Sequence, residues 1–209
     1  MTSKQDILAS IRKQTVPAAE LPNLSDVAGI TFANPQQQFA AILEGVGGLC
    51  HHVADVAGVN ERLATLSPYT EASQIISAVP GVGQPNVDID TIDDPHDLHT
   101  VDFAIFRGEF AVAENAAVWM TDHSIRHRVA YFIPQHLAFV LPSRDVVNNM
   151  HEAYDQILDV CEDDDIIVEI GSFMGRSTSY LATNIVNSEK KVKVFCIDTF
   201  EGSSEHSAL

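Results

Sequence analysis

The sequence predicts an α/β fold, and three observations carry that expectation. Two stretches, PQQQFAAILEGV at 35–46 and SRDVVNNMHEAYDQIL at 143–158, repeat apolar residues at three and four positions, the period of a helix. VDFAIFRGEFAVAENAAVWM and YFIPQHLAFVLP, which lie between them, are rich in the β-branched and aromatic residues that suit a pleated surface. Towards the end, DIIVEIGSFMGRSTSYLATNI and KVKVFCID read as strand, glycine turn, helix and strand. Alternation of this kind is the signature of helices wound on a parallel sheet.

The elements follow in order. Ser3 with Asp6 resembles a capping box ahead of Ile7, Leu8 and Ile11, which predicts a short amino-terminal helix. Two prolines in VPAAELPNLSD stop it and make residues 16–28 a surface connection. Asn34 is placed to cap a helix over 35–46, with Pro35 in its first turn, Phe39, Ile42, Leu43 and Val46 as its apolar stripe, and Gly47 at its end. LCHHVA, VNERLATL and ASQIISAV alternate extended and helical patterns, and Pro80, Gly81, Gly83 and Pro85 then force a loop. Asp94 and Pro95 start another helical turn in DDPHDLH. After the β-rich centre, Ser143 is expected to cap a helix over 144–158, whose Val147, Met150, Tyr154 and Leu158 share a face. CEDDD at 161–165 reads as a solvated linker between apolar segments.

Composition narrows the function classes. At 209 residues, 45% apolar and 20% charged, the chain has the make-up of a globular protein with a core of its own. Twelve Lys and Arg against 29 Asp and Glu leave a net charge of −17, which repels a phosphate backbone and argues against nucleic acid as partner. The charge divides as −11 over residues 1–158 (8 basic, 19 acidic) and −6 over the rest (4 basic, 10 acidic), so both parts are acidic. No apolar run reaches the roughly 18 residues of a membrane span, and MTSKQDILASIRKQ lacks the apolar core of a secretion signal, so a cytoplasmic location away from membranes is expected. Cys50, Cys161 and Cys196 are widely spaced and odd in number, which fits buried free thiols better than a disulfide framework or a cysteine zinc site.

Residues 1–158 resemble a known family. The blocks TIDDPHDLHTVDFAIFRGEFAVAENAAVWM, YFIPQHLAFVLP and VVNNMHEAYDQI are similar to the LUD family, in the form of its lactate utilization protein C group. The resemblance implies a NagB/RpiA/CoA transferase-like sheet with helices on both faces. It further implies a cytoplasmic bacterial protein that takes part in oxidising L-lactate to pyruvate. Partner proteins that carry iron–sulfur clusters and a small organic acid as ligand come with that role.

The segment 159–209 is similar to something else. DIIVEIGSFMGRSTSYLATNI with KVKVFCIDTFEGSSEH resembles the opening of a class I S-adenosylmethionine-dependent methyltransferase, a Rossmann-like βαβ unit. A strand running into Gly171 and Gly175 would aim the following helix's free N–H groups at a ligand, and Asp198 at the end of the second strand could accept from both ribose hydroxyls. In that family, positions matching Glu169, Gly171, Gly175 and Asp198 line the pocket of S-adenosylmethionine. Since Leu209 arrives just after the second of about seven strands, the expectation is a chimera: a partial methyltransferase-like segment joined to a LUD domain near Cys161.

Several side chains are candidates for chemistry. Glu109, Glu114 and Asn115 interrupt an apolar run, and carboxylates among small apolar neighbours are suited to acid or base work; the alternative is that they face water at a hairpin. His136 ends an expected strand and reads as either a catalytic imidazole or hydrogen-bonded scaffolding. His96 and His99, with Asp94 and Asp97, have a spacing that a metal could use, but capping and surface exposure explain them as well. His51 and His52 are adjacent and would point to opposite faces of a strand. Trp119 reads as core. Ser172, Ser177 and Ser179 have no histidine near in sequence and no nucleophile elbow, so serine hydrolase chemistry has little support.

Overall fold

The computed structural model describes residues 29–123, 125–170 and 175–198, together with Ala9, Lys13 and Glu20. Apart from those three, the helix expected after Ser3 and the connection over residues 16–28 lie outside the described residues. The backbone forms two compact units, Gly29–Asp159 and a second that comprises Met1–Ala28 and Val160–Leu209.

In the first unit the expected helix forms as α1, Pro35–Gly45. The Gln37 N–H donates to Asn34 Oδ1 at 3.0 Å. Past its end, Gly47 takes φ +90° and the Gly48 N–H returns to the Leu43 carbonyl at 2.9 Å, a stop that only glycine adopts cheaply. Helix α2, Val56–Leu63, is capped by Asp55, and a single turn, α3, spans Ser67–Thr70. No strand forms over LCHHVA, contrary to its extended pattern.

Strands β1 (Ile75–Ser77), β2 (Phe103–Arg107) and β5 (His136–Val140) make a parallel sheet in the order β1-β2-β5. Alternation along β2 sends Ala104 and Phe106 to one face, packed with Ile76, Leu98, Val101, Ala130 and Tyr131. Phe103 and Ile105 go to the other, with Leu63, Ile75 and Val82. Both faces are therefore buried, as a parallel sheet requires. Each fully buried side chain such as Phe106 or Ile105 contributes about 1.5–3 kcal/mol.

Beyond β2 the chain passes Gly108 and Glu109 into β3 (Phe110–Val112), which pairs antiparallel with β4 (Val118–Trp119) and parallel with β6 (Val146–Val147). A Cβ on Gly108 would lie 2.7 Å from Val118 Cγ1, so the crossing from one sheet to the next needs glycine. Phe39 of α1 packs over Ala111 and Ala113 of this second sheet.

The helix expected over 144–158 is corrected. Ser143–Asp145 is a 3₁₀ turn, Val146–Val147 is strand β6, and helix α4 spans only Met150–Val160. Two β-branched residues pair with Ala111 and Val112 on an open strand edge, and that tertiary pairing outweighs the helical period. The cap lies at Asn149, whose Oδ1 accepts the Glu152 N–H at 3.1 Å, while Glu152 Oε2 accepts the Asn148 N–H at 2.7 Å. Trp119 is corrected as well: it is 39% exposed and stacks on Phe110 with centroids 6.2 Å apart.

The second unit holds β7 (Ile166–Ile170), α5 (Arg176–Asn187) and β8 (Lys193–Ile197), the two strands pairing in parallel with Glu169 opposite Cys196. Leu181 and Ile185 of α5 are buried, whereas Ile166, Val168, Ile170, Phe195 and Ile197 are exposed. CEDDD is exposed over residues 162–165, as expected of a solvated segment, and is tied down as a turn. The Asp164 N–H donates to the Lys191 carbonyl at 3.1 Å, the Lys191 N–H to Asp163 Oδ1 at 3.0 Å, and Lys190 Nζ to the Cys161 carbonyl at 3.0 Å. All three cysteines are free and half-buried, less enclosed than expected.

Candidate functional site

In open α/β sheets, ligands bind beyond the carboxyl ends of parallel strands. Glu109 stands there, two residues past β2. It is half-buried, its N–H donates to the Trp119 carbonyl at 2.8 Å, and its Oε1 accepts the Thr121 hydroxyl at 3.2 Å. Thr121 also receives the Tyr131 O–H on its carbonyl at 2.8 Å, so Glu109, Thr121 and Tyr131 form one polar chain. Burial pushes the Tyr131 phenol above its ordinary value, and the nearby Asp122 and Glu109 carboxylates push it further. Neither Thr121 nor Tyr131 was singled out in the sequence. The available signal was a tyrosine inside an apolar run, whose hydroxyl needs a partner once buried.

Glu114 and Asn115 lie at the other end of β3. Glu114 is exposed; its Oε2 accepts the Met150 N–H at 3.0 Å and its own N–H donates to the Asn148 carbonyl at 3.0 Å, which ties the turn to the start of α4. Asn115 Oδ1 accepts the Ala117 N–H at 3.0 Å beside Ala116 at φ 58°. Both side chains thus organise the hairpin between β3 and β4.

His136 opens β5 where it was expected to end a strand, and pairs with Phe103 at the amino end of the sheet. Its ring stacks on Phe103 with centroids 6.2 Å apart, and its N–H donates to the Asp102 carbonyl at 3.0 Å. Glu109 and His136 therefore occupy opposite ends of the parallel sheet, and the structure does not bring them together.

The other histidines settle locally. His96 Nδ1 lies 2.7 Å from Asp94 Oδ1 and His99 Nδ1 lies 2.8 Å from the His96 carbonyl. The His96 N–H, donated to Asp94 Oδ1, is the main reason the Asp94 carboxyl sits below its ordinary value. Burial lowers His51, helped by Arg62 and opposed by Glu44. Among the described residues no group of three or more His, Cys, Asp or Glu is arranged to hold a metal ion.

In the second unit Gly175 takes φ +73° immediately before α5, and a Cβ there would meet nothing within 4 Å. Asp198 directly follows β8 and is half-buried. Gly171 lies outside the described residues. Glu169 accepts hydrogen bonds from the Ser177 and Thr178 hydroxyls, and Cys196 Sγ lies 3.8 Å from its Oε2. Its carboxylate joins β7 to the first turn of α5.

The fold is thus α/β, with parallel and antiparallel pairings and flanking helices. Residues 87–172 match the family model of the LUD domain, and a LUD domain is present there. The matched span contains Glu109, Glu114, Asn115, His136 and Glu169. No curated protein and no solved structure matches the chain. No helix among the described residues is long and apolar enough to cross a membrane.

Proposed function

We propose that this protein serves lactate utilization, as a cytoplasmic accessory or subunit of an iron–sulfur-dependent system that oxidises L-lactate to pyruvate, in the manner of the lactate utilization protein C group. The LUD domain over residues 87–172 carries the reading. Its partners are the proteins that hold the iron–sulfur clusters, and its ligand is a small organic acid. The parallel sheet β1-β2-β5, covered on both faces, fits the NagB/RpiA/CoA transferase-like architecture proposed for residues 1–158. Of the candidates Glu109, Glu114, Asn115 and His136, Glu109 is best placed for proton transfer, at the carboxyl end of β2 and in contact with Thr121. The test is L-lactate oxidation by the assembled system. Leaving out this chain should lower pyruvate formation at least tenfold, and Glu109→Gln should do the same with the complex intact. Unchanged oxidation without the chain would sink the reading, whereas loss on omission with a fully active Glu109→Gln would assign the chain a holding role.

A second reading is favoured by one observation, the parallel β7, α5 and β8 with Gly175 in a left-handed conformation at the head of the helix. This Rossmann-like segment would bind S-adenosylmethionine in the manner of a methyltransferase. When bound, that cofactor supplies an electrophilic methyl group. The open space at Gly175 fits close approach of a ligand, and Asp198 is placed to accept from ribose hydroxyls. Glu169, engaged by Ser177 and Thr178, would hold β7 and the start of α5 together. Calorimetric titration with S-adenosylhomocysteine should give saturable heat that Asp198→Ala removes, and no heat at millimolar ligand would retire this reading.

A further inference from the structure

We infer that the cleft beside the carboxyl end of β5, lined by Asn34, Gln36, Gln37, Ala40, His52 and Ser143, binds the carboxylate of a small organic acid. The inference rests on the lactate reading for the identity of the acid, but its location rests on four observations of the fold.

The first is topological. Leu141–Asp145 joins β5 to β6, while Gly108–Glu109 alone makes the parallel passage from β2 to β3. The longer connection must bow outward, and Ser143 sits at its bend, on the side of the sheet where α/β folds take their ligands.

The second is rigidity. Gln36 Nε2 donates to the Ser143 carbonyl at 2.9 Å, which closes one wall of the cleft across 107 residues of sequence. Phe39 anchors the same helix on Ala111 and Ala113, with Leu141 and Val146 packed alongside. The backbone of α1 and of the β5–β6 connection is thus held by the hydrophobic core.

The third is charge. The chain carries 29 acidic side chains, and none among the described residues lines this cleft. Asn34 and Gln36 are already engaged, Asn34 with the Gln37 N–H and Gln36 with Ser143. Asn34 is engaged only as an acceptor, so its Nδ2, the Gln37 carboxamide, the His52 ring and the Ser143 hydroxyl are the hydrogen-bond donors around an open space of about 540 Å³. Neutral and imidazole donors without a competing carboxylate among the described residues suit an anion that carries its own acceptors, such as a carboxylate.

The fourth is the division of labour along the chain. Ser143 belongs to the span that matches the LUD domain, and every other lining residue precedes it in sequence. The segment 34–52 would therefore complete a site that the LUD domain alone leaves open on one side.

The full chain should be titrated by calorimetry with L-lactate, pyruvate, acetate and methyl lactate, the ester serving as the uncharged control. Gln37, His52 and Ser143 are all exposed, so Gln37→Ala, His52→Ala and Ser143→Ala should keep the fold, which urea unfolding of each variant verifies. The expected result is saturable binding of L-lactate or pyruvate, no binding of the ester, and a loss of at least tenfold in affinity in each of at least two variants. Binding of acetate alone, lost in the same variants, keeps the site and removes lactate as its ligand. Lactate binding that survives all three substitutions overturns the site and leaves the lactate reading standing. No binding of any of the three acids by the full chain overturns the site as well.

Discussion

Tyr131 shows how one buried hydroxyl ties stability to pH. Its O–H reaches the Thr121 carbonyl at 2.8 Å, and burial, with Asp122 and Glu109 nearby, raises the phenol above its ordinary value near 10. The folded state therefore holds the phenolic proton more tightly than the unfolded chain does. The stability this contributes is fully present below the unfolded value and is lost as pH rises through the folded one. We predict that urea unfolding shows stability falling above about pH 10 and that Tyr131→Phe, which cannot ionise, flattens that fall. At neutral pH the same variant should be less stable by about 1 kcal/mol, the net worth of one hydrogen bond. A fall of the same slope in wild type and variant would show that another group is responsible. The cysteines follow related physics: burial raises Cys50, with Glu44 adding to it, and burial raises Cys161, with Asp165 adding and Lys190 opposing. Both are therefore held as thiols, the unreactive form.

Among the elements, α4 shows most clearly what local pattern conceals. Its heptad-like apolar repeat extends back to Val147, but the helix starts three residues later, at Met150. Asn149 explains the start. It is 3% exposed, accepts the Glu152 N–H, and donates Nδ2 to the Ile30 carbonyl at 2.9 Å. The neighbouring Asn148 Oδ1 accepts the Phe32 N–H at 2.9 Å. The pair thus caps one helix and fastens the chain at Ile30 and Phe32. Asn149→Ala should lower stability by about 2 kcal/mol in urea, combining a lost cap with a carbonyl left unpartnered. Asn149→Asp keeps the capping oxygen and should fall between the two; equal loss in both variants would mean that the bond to Ile30 contributes the whole effect. Helix α1, in contrast, runs almost as its residues dictate, because Asn34, Pro35 and Gly47 fix both ends through local backbone chemistry alone.

For the whole molecule, the buried clusters built on Phe106, on Ile105 and on Ala111 all belong to Gly29–Asp159, while Leu181 and Ile185 supply the buried apolar residues of α5 in the other unit. Each unit thus holds buried apolar residues of its own, which predicts unfolding in separate steps. Differential scanning calorimetry of the full chain should resolve two transitions, and a chain ending at Leu158 should keep the one that belongs to Gly29–Asp159. A single transition that drops by several degrees on truncation would show that the two units unfold as one.

Much of this architecture is written locally. The alternation of apolar runs determined an α/β class; Asn34 with Pro35, and Asp94 with Pro95, determined where helical turns begin; and Gly175 between an apolar strand and a helix determined the turn at the head of α5. These features depend on a residue's own dihedrals or on donors within four positions, so neighbours in sequence suffice to read them. Pairing decided the rest. Val146 and Val147 became strand because β3 offered an edge, Trp119 stayed half outside because β4 is short, and CEDDD became a tied turn because Lys190 and Lys191 return to it from beyond α5. The candidate site divided in the same way. Glu109 was legible as a carboxylate in an apolar run, but its place at the carboxyl end of β2, its link through Thr121 to Tyr131, and the placing of His136 at the opposite end follow from the parallel register of β2 and β5. Sequence fixes which groups are available; only the register and the crossings between sheets bring them together or keep them apart, because both are settled by contacts between residues far apart in the chain.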